Sequence, residues 1–456
     1  MNTPEIEALR AFRHEVYTLF GCRRDALFEA LDAVLTAPVI ETPAHLSLAA
    51  VCQRGWGSLY DALNAGTMDL TRLERLVASY ALSHPLSHPL SSPPEPETTA
   101  WYAVDASVWP RCDAETSPER GFYHHSSRHS HGQPIVAGWN YSWLVQLPPR
   151  CSSWTAPLRV RRIIPGENLS LVAAAQIRSW REQAPPATAL PIFTFDAGYE
   201  PIHLSQALAD QQVGLLVRLR AGRCFYADPT SQPPTGRPRR HGAKFACDDP
   251  TTWPAPTASW TATDPQYGQV TLRAWADLHA VPHLHATRGT RRPRPVVRGT
   301  VIRLEVERLP RPTKPPQPLW FWWSGPHPPD LAEVWRAYTA RFSIEHTFRL
   351  FKQTLGWTTP KLRSPAAADR WTWLLILAYV QLRLARDTVG DVRLPWQLPL
   401  PPKRRTPARV RRGFSHVLAQ LGTPACAPKP CGRSPGRPNG KRSPPAPRFP
   451  AVKLTP

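Results

Sequence analysis

Pro191–Leu219 reads PIFTFDAGYEPIHLSQALADQQVGLLVRL, and this stretch decides the fold. Pro191–Asp196 is a short apolar run that ends in an acid. Ile202–Gln211 carries apolar residues at helical spacing, and Val213–Leu219 is a second apolar run. Strand, helix and strand within so few residues predict an α/β layer fold. Upstream, Ala100–Asp105 (AWYAVD) is another short strand ending in an acid. Ile135–Leu147 reads as one long strand or two short ones, and Asn168–Glu182 as a helix. Downstream, residues 220–318 are rich in Pro, Arg and Gly, with strand-like pieces at Val270–Trp275 and Gly299–Val306, and they read as a β-rich insertion. Leu319–Trp323 (LWFWW) returns to core-strand character, and Pro329–Gly356 and Ala366–Arg386 read as long helices.

The flanks differ from this centre. Ala8, Leu9, Phe12, Val16 and Leu19 form one helical stripe, and Leu27, Leu31, Val34 and Leu35 begin another. Cys22–Asp25 reads as the break between them, with Asp25 as the expected cap. Ser83–Thr99 is a Pro/Ser linker. Between Lys403 and Pro456 there are thirteen Lys or Arg and no Asp or Glu, a composition that predicts a disordered basic tail. The expected division is therefore a helical N-terminal domain (1–82), the linker (83–99), a first core part (100–219), the insertion (220–318), a second core part (319–394) and the tail (395–456).

Charge narrows the partner. The 456 residues include 56 Lys plus Arg against 34 Asp plus Glu, a net +22 that points to a polyanion. The longest apolar run, Trp371–Val380, is too short to span a bilayer. The opening MNTPEIEALRAF has no apolar signal region, so the cytoplasm is the expected compartment. The eight cysteines are scattered without a CxxC and are expected to be reduced. Cys426 and Cys431 lack partners that would complete a zinc set.

Asp105 and Asp196 are the first candidates for chemistry, because a strand-end carboxylate is held rigidly at an open sheet edge. Either one alone could equally cap a turn. On the long helix, Tyr338, Arg341, Glu345 and Lys352 fall within roughly a 60° arc at 3.6 residues per turn. The apolar stripe beside them is Ala337, Ile344, Phe348, Phe351 and Leu355. An acid flanked by cations suits a phosphodiester held next to a metal; a solvated ion-pair face is the plain alternative. Three rigidly mounted acids are more specific. Mg²⁺ takes a few carboxylates plus water and substrate phosphate, and two such ions can serve the attacking and leaving oxygens of a phosphoryl transfer.

Asp105, Asp196 and Glu345 in this order, with an insertion between the last two, resemble a DDE transposase of bacterial insertion sequences. The Tyr-x2-Arg-x3-Glu-x6-Lys spacing of Tyr338, Arg341, Glu345 and Lys352 resembles the signature of one transposase subgroup. The resemblance covers roughly residues 95–390. It implies a ribonuclease-H-like catalytic core interrupted by a β-rich insertion, with Asp105, Asp196 and Glu345 as ligands of two Mg²⁺ ions that Mn²⁺ could replace. It further implies that Arg341 and Lys352 grip phosphates with support from Tyr338. The expected partners are double-stranded DNA (terminal repeats and target) and a second copy of the chain. In related enzymes an aromatic residue of the insertion stacks on a flipped base, and Trp253, Trp260 and Trp275 are candidates. A nuclease without strand transfer, or an inactive DNA-binding protein, remains the alternative.

Lesser features are Arg237, Arg239 and Arg240, a basic loop that suits phosphate contact or simple solvation equally, and the His124, His125, His129 and His131 loop, read as polar rather than zinc-binding. Gly436-Arg437-Pro438 would suit a narrow minor groove. Asp113, Glu115 and Glu119 are rival acids on a loop without a rigid mount.

Overall fold

The computed structural model describes residues 4–83, 100–125, 134–149, 152–184, 189–232, 235, 238–280, 296–310, 315–430, 432, 436, 438–442 and 444–453. Five helices lead: α1 Pro4–Thr18, α2 Arg24–Thr36, α3 Pro43–Leu46, α4 Trp56–Ala65 and α5 Leu70–Ser83. Strands β1 Trp101–Pro110, β2 Gly121–His124, β3 Ile135–Gln146 and β4 Ala156–Ile163 precede α6 Leu169–Arg181. Then come β5 Ile192–Phe195, α7 Pro201–Ala207 and β6 Gly214–Leu219. The expected insertion holds β7 Cys224–Tyr226, β8 Lys244–Ala246, β9 Ala258–Asp264, β10 Gly268–His279 and β11 Arg298–Val306. The chain returns through β12 Leu319–Ser324, α8 Leu331–Arg341, α9 Ser343–Arg349, a π-helical turn over Leu350–Thr354, α10 Pro365–Leu384 and α11 Pro407–Leu421.

The fold is mixed α/β, and its strands form one twelve-stranded sheet. β3 runs antiparallel beside β1 and β4 antiparallel to β3, while β5 and β6 run parallel to β1 on its other side. β12 then pairs antiparallel with β6 and carries the sheet onward through β11 and β10. The strands of 220–318 thus extend the central sheet rather than forming a separate one.

Each face of the sheet has its own core. Val104, Phe193, Phe195, Leu215 and Val217 pack under α6 with Ile177 and Trp180. Trp101, Ala103, Ile192, Leu216 and Phe321 face the opposite way, onto the cluster that includes Tyr338, Ile344, Phe351 and the helix α10. α10 is buried nearly all round, as its apolar sequence requires. Helices α1–α5 do not pack only on one another: Arg13 reaches from α1 to Asp32 at 2.7 Å, to Gln381 of α10 at 2.7 Å and to the Gly422 carbonyl at 3.0 Å.

Four expectations change. β1 does not stop at Asp105 but continues to Pro110, because Val108 and Trp109 keep an apolar strand going and pair with Asn140 and Trp139. Asp105 therefore sits in mid-strand. Asp25 is not a cap: Arg23, in the left-handed region (φ 59°), precedes α2, and Asp25 instead accepts from Tyr17 Oη at 2.6 Å and from the Cys426 amide at 3.0 Å. The helix expected over Pro329–Gly356 is broken at Phe342 and loosens into the π turn; Gly356 (φ 64°) then reverses the chain against Ile40. Finally, the tail is not all disordered. Val410, Phe414, Val417 and Leu418 make an apolar stripe that docks α11 against the helical layer, and Arg411 donates to the Val34 carbonyl at 2.9 Å. Charge counting missed a stripe at i, i+4, i+7 and i+8.

Phe414 is fully buried, so Phe414→Ala should cost about 3–5 kcal/mol in urea unfolding. An unchanged midpoint would mean that α11 is not part of the folded core.

Candidate active site

The register of two parallel strands builds the site. Trp101, Tyr102 and Ala103 of β1 pair with Ile192, Phe193 and Thr194 of β5. Continued by two residues, the same register sets Asp105 beside Asp196. β5 in turn pairs Phe195 with Val217 of β6, which sets Asp196 beside Arg218. Side chains alternate along a strand, so Asp105, Asp196 and Arg218 share the parity of Ala103, Ile192 and Leu216 and project onto the face covered by α8.

α8 and α9 supply the other side. Asp330 caps α8, accepting from the Ala332 amide at 2.8 Å. Arg341, buried at the end of α8, donates from Nη2 to Asp105 Oδ2 at 3.1 Å, while Asp105 Oδ1 accepts from the Ala106 amide at 2.8 Å. Glu345 follows one turn later on α9, with its side chain exposed. Asp196, at the end of β5, accepts from the Gly198 amide at 2.9 Å, a tight turn that fixes the carboxylate.

Electrostatics ties the groups together. Burial pushes the Asp105 carboxyl up to about 7; Arg341 opposes the rise, and the charges of Asp196 and Glu345 add to it. Lys352 is held below its ordinary range by burial, with Glu345 and Asp105 acting against that shift. Its ammonium lies 5.9 Å from the Trp357 ring centroid. Thus Asp105, Asp196, Glu345, Arg341 and Lys352 occupy one neighbourhood. The π turn adds residues between Glu345 and Lys352, so the straight-helix arc does not describe Lys352, yet both belong to the cluster.

Tyr338 has a different place from the one expected. Its ring packs edge-on against Phe321 at 4.7 Å and against Phe342 at 5.6 Å, and it is buried. It props α8 on β12. Arg239 and Arg240 lie on the β7–β8 connection, where the Arg239 backbone is held by Gln232; no contact joins them to the three acids among the described residues. Arg237 lies outside the described residues, as do His129, His131, Cys431 and Arg437. Trp275 is a core side chain whose indole donates to the Pro254 carbonyl at 2.8 Å, and Trp253 lies under the Arg303 guanidinium at 5.0 Å.

Two residues escaped the sequence reading. The Arg218 side chain makes no hydrogen bond or ion pair among the described residues, and its charge reaches Tyr338. Tyr199 is fully buried, and its hydroxyl is pushed well above its usual range by burial and by Asp105 and Asp196. The three-residue offset between Asp196 and Tyr199 was visible, but only the register brings Arg218 alongside.

Three carboxylates, two of which push up the proton affinity of Asp105, are hard oxygen donors, suited by charge to a divalent cation. Arg341 now supplies that positive charge. Among the described residues no three His, Cys, Asp or Glu side chains are already close enough together to hold a metal ion. The donor chemistry fits; the acids would have to draw in.

The chain belongs to the DDE superfamily endonucleases: the family model matches residues 15–279. That span contains Asp105, Asp196 and Arg218 and stops before Glu345. Members of this superfamily generally use divalent metal ions. No curated protein matches the chain. Among solved structures, the piggyBac transposase synaptic complex with hairpin DNA, determined by cryo-EM, is 10% identical, covers 93% of this chain and 83% of its own, and superposes with a TM-score of 0.41. That likeness is too distant to carry fold or function across.

A buried, repelled carboxylate should cost stability. Its folded pKa lies above the unfolded one, so the penalty grows as pH rises from about 4 and is complete above about 7. Asp105→Asn, without divalent cation, should therefore raise the melting temperature at pH 8, with a gain that shrinks toward pH 4. A lower melting temperature at pH 8 would mean that the Asp105–Arg341 pair is a structural salt bridge instead.

Proposed function

We propose that this DDE endonuclease is a transposase of a bacterial insertion sequence, of the subgroup bearing the Tyr-Arg-Glu-Lys signature, built on a ribonuclease-H-like core. The observation that carries the reading is the parallel register that sets Asp105 beside Asp196, with Glu345 and two cations facing them from α8, α9 and the π turn. The strand order β4-β3-β1-β5-β6, with β3 alone of these antiparallel to β1, supports the core assignment.

Asp105, Asp196 and Glu345 would hold two divalent ions, Mg²⁺ or in its place Mn²⁺. When bound, such ions activate the attacking oxygen and stabilise the leaving oxygen of an in-line displacement at phosphorus. The chain's own part is positioning. Arg218 and Lys352, both half-buried, would neutralise the phosphodiester, since a cation already held beside the developing phosphate charge is preorganised for it. Arg341 holds Asp105 in place and can turn to phosphate when the acids are otherwise neutralised. Tyr338 fixes the tilt of α8. In the first step water attacks the phosphodiester at the element end, and the 3′-oxygen leaves as a hydroxyl. In the second that hydroxyl attacks a target phosphodiester, breaking one P–O bond as another forms. Two element ends handled together call for two copies of the chain on double-stranded DNA.

The test is cleavage of DNA carrying the ends that flank the gene, with Mg²⁺ or Mn²⁺, beside Asp196→Asn. Cleavage should fall by roughly 10³-fold in the variant, the effect of several kcal/mol of lost charge stabilisation. Equal background cleavage by both proteins would remove the enzyme reading. Supplied with pre-cut ends, the protein should form joined products; cleavage without joining would leave a nuclease. Arg218→Ala should lower the cleavage rate by roughly 10²-fold or more with an unchanged melting temperature, and Arg218→Lys should restore part of it. Full activity in Arg218→Ala would place that residue outside the site.

A further inference from the structure

The connection between α10 and α11 holds its apolar side chains out in water. Val392 and Leu394 are each 38% exposed, Trp396 is 78% exposed and Leu398 is 80% exposed. Single exposed apolar residues need no explanation, but four within seven positions do. The segment is braced rather than loose. The Leu400 amide donates to Asp391 Oδ2 at 3.0 Å, and Arg409 pairs with Asp391 at 2.8 Å and donates to the Leu398 carbonyl at 2.5 Å. The Gln397 amide donates to the Leu394 carbonyl at 2.9 Å, and its side chain accepts from the Leu394 amide at 3.2 Å. Pro395, Pro399, Pro401 and Pro402 fix their own backbone angles. The result is a stiff turn with an indole and an isobutyl group at its tip.

Its position gives the turn a partner. The Arg405 carbonyl accepts from the Trp154 indole at 2.7 Å, and the Ser152 amide two residues away donates to Ser343 Oγ at 3.0 Å. Ser343 opens α9, which carries Glu345. The chain just after the turn is thereby linked, through residues 152–154, to the first residue of the helix that carries Glu345. Exposed Arg393 and Arg404 border it, and His346 and Arg349 are exposed on α9 itself. Of the nearby acids, Asp391 is taken up by Arg409, and Asp387 is exposed at the base of the turn.

We propose that this turn is a DNA wedge: Trp396 and Leu398 press against the base stack of the duplex leading from the active site, while Arg393 and Arg404 meet its phosphates. An exposed apolar tip flanked by two arginines matches a duplex, in which an apolar side chain unstacks a base step and an indole stacks on an exposed base. A second copy of this chain, equally basic, offers no charge complement to these arginines. The direction of the DNA path rests on the transposase reading; binding by the wedge does not require cleavage.

The test measures affinity for a mixed-sequence duplex of about 30 base pairs by fluorescence anisotropy across a salt series, without divalent ions. The double variant Trp396→Ser, Leu398→Ser should weaken binding roughly 5- to 150-fold at every salt concentration and leave the salt slope unchanged, because stacking releases no counterions. Arg393→Ala and Arg404→Ala should each make the slope shallower by about 1. Melting temperatures of all variants should equal that of the parent, since the altered side chains are exposed. Unchanged affinity in the double variant would overturn the wedge. So would a change seen only in sedimentation, which would make the turn a contact between copies. A protein that cleaves DNA but binds it without regard to Trp396 keeps the transposase reading and loses the wedge. One that never cleaves yet loses affinity with Trp396 does the reverse.

Discussion

Two like charges set on adjacent parallel strands must be balanced by something. The pairing of β1 with β5 sets Asp105 and Asp196 at one level of the sheet; Asp105 is held in the β1–β3 ladder and Asp196 in the turn that closes on the Gly198 amide. Burial drives the Asp105 carboxyl up, and the charges of Asp196 and Glu345 push it further. The structure answers with Arg341 at 3.1 Å and with Lys352 nearby. Breaks in α8–α9 and the π turn serve the same end, because they aim Arg341, Glu345 and Lys352 at the acids from successive turns. Strain of this kind is what a site that must accept a cation and a phosphate would keep.

The rest of the architecture holds that arrangement still. α10 is buried on all sides and packs against α2 and α11, and Arg13 ties α1 and α2 to α10 through Asp32 and Gln381. Trp143 lies between Phe348, Phe351 and Trp357, so β3, α9 and the π turn share one aromatic core. On the far side, β12 joins β6 and carries the sheet into the insertion, while Phe321 seats Tyr338. The chain's ends take part as well. Arg120 donates to the Phe449 carbonyl at 2.7 Å, and the Val452 amide donates back to the Arg120 carbonyl at 2.7 Å, so the last described residues lie along β2. A stretch without a single acid is held by backbone pairing, by the Arg120 guanidinium and by the Arg448–Glu115 ion pair.

Residue types and their local order determined several things by themselves. The run from Pro191 to Leu219 showed a strand, an acid, a helix and a strand, and these are β5, Asp196, α7 and β6. The spacing of Arg341, Glu345 and Lys352 put an acid and two cations on one helical region, and the net charge of +22 asked for an anionic partner. These features are local, so periodicity and composition can report them. Only the tertiary structure decided that Asp105 lies in mid-strand, that Tyr338 packs rather than reaches outward, that Arg218 stands level with Asp196, and that α11 folds out of a basic tail. Each of these depends on a partner far away in the chain: Trp143 and Asn140 for β1, Phe321 for Tyr338, the β5–β6 register for Arg218, and α2 with α10 for α11. Pairing register and burial are set by contacts between distant segments, and a linear pattern carries no record of which segments will meet.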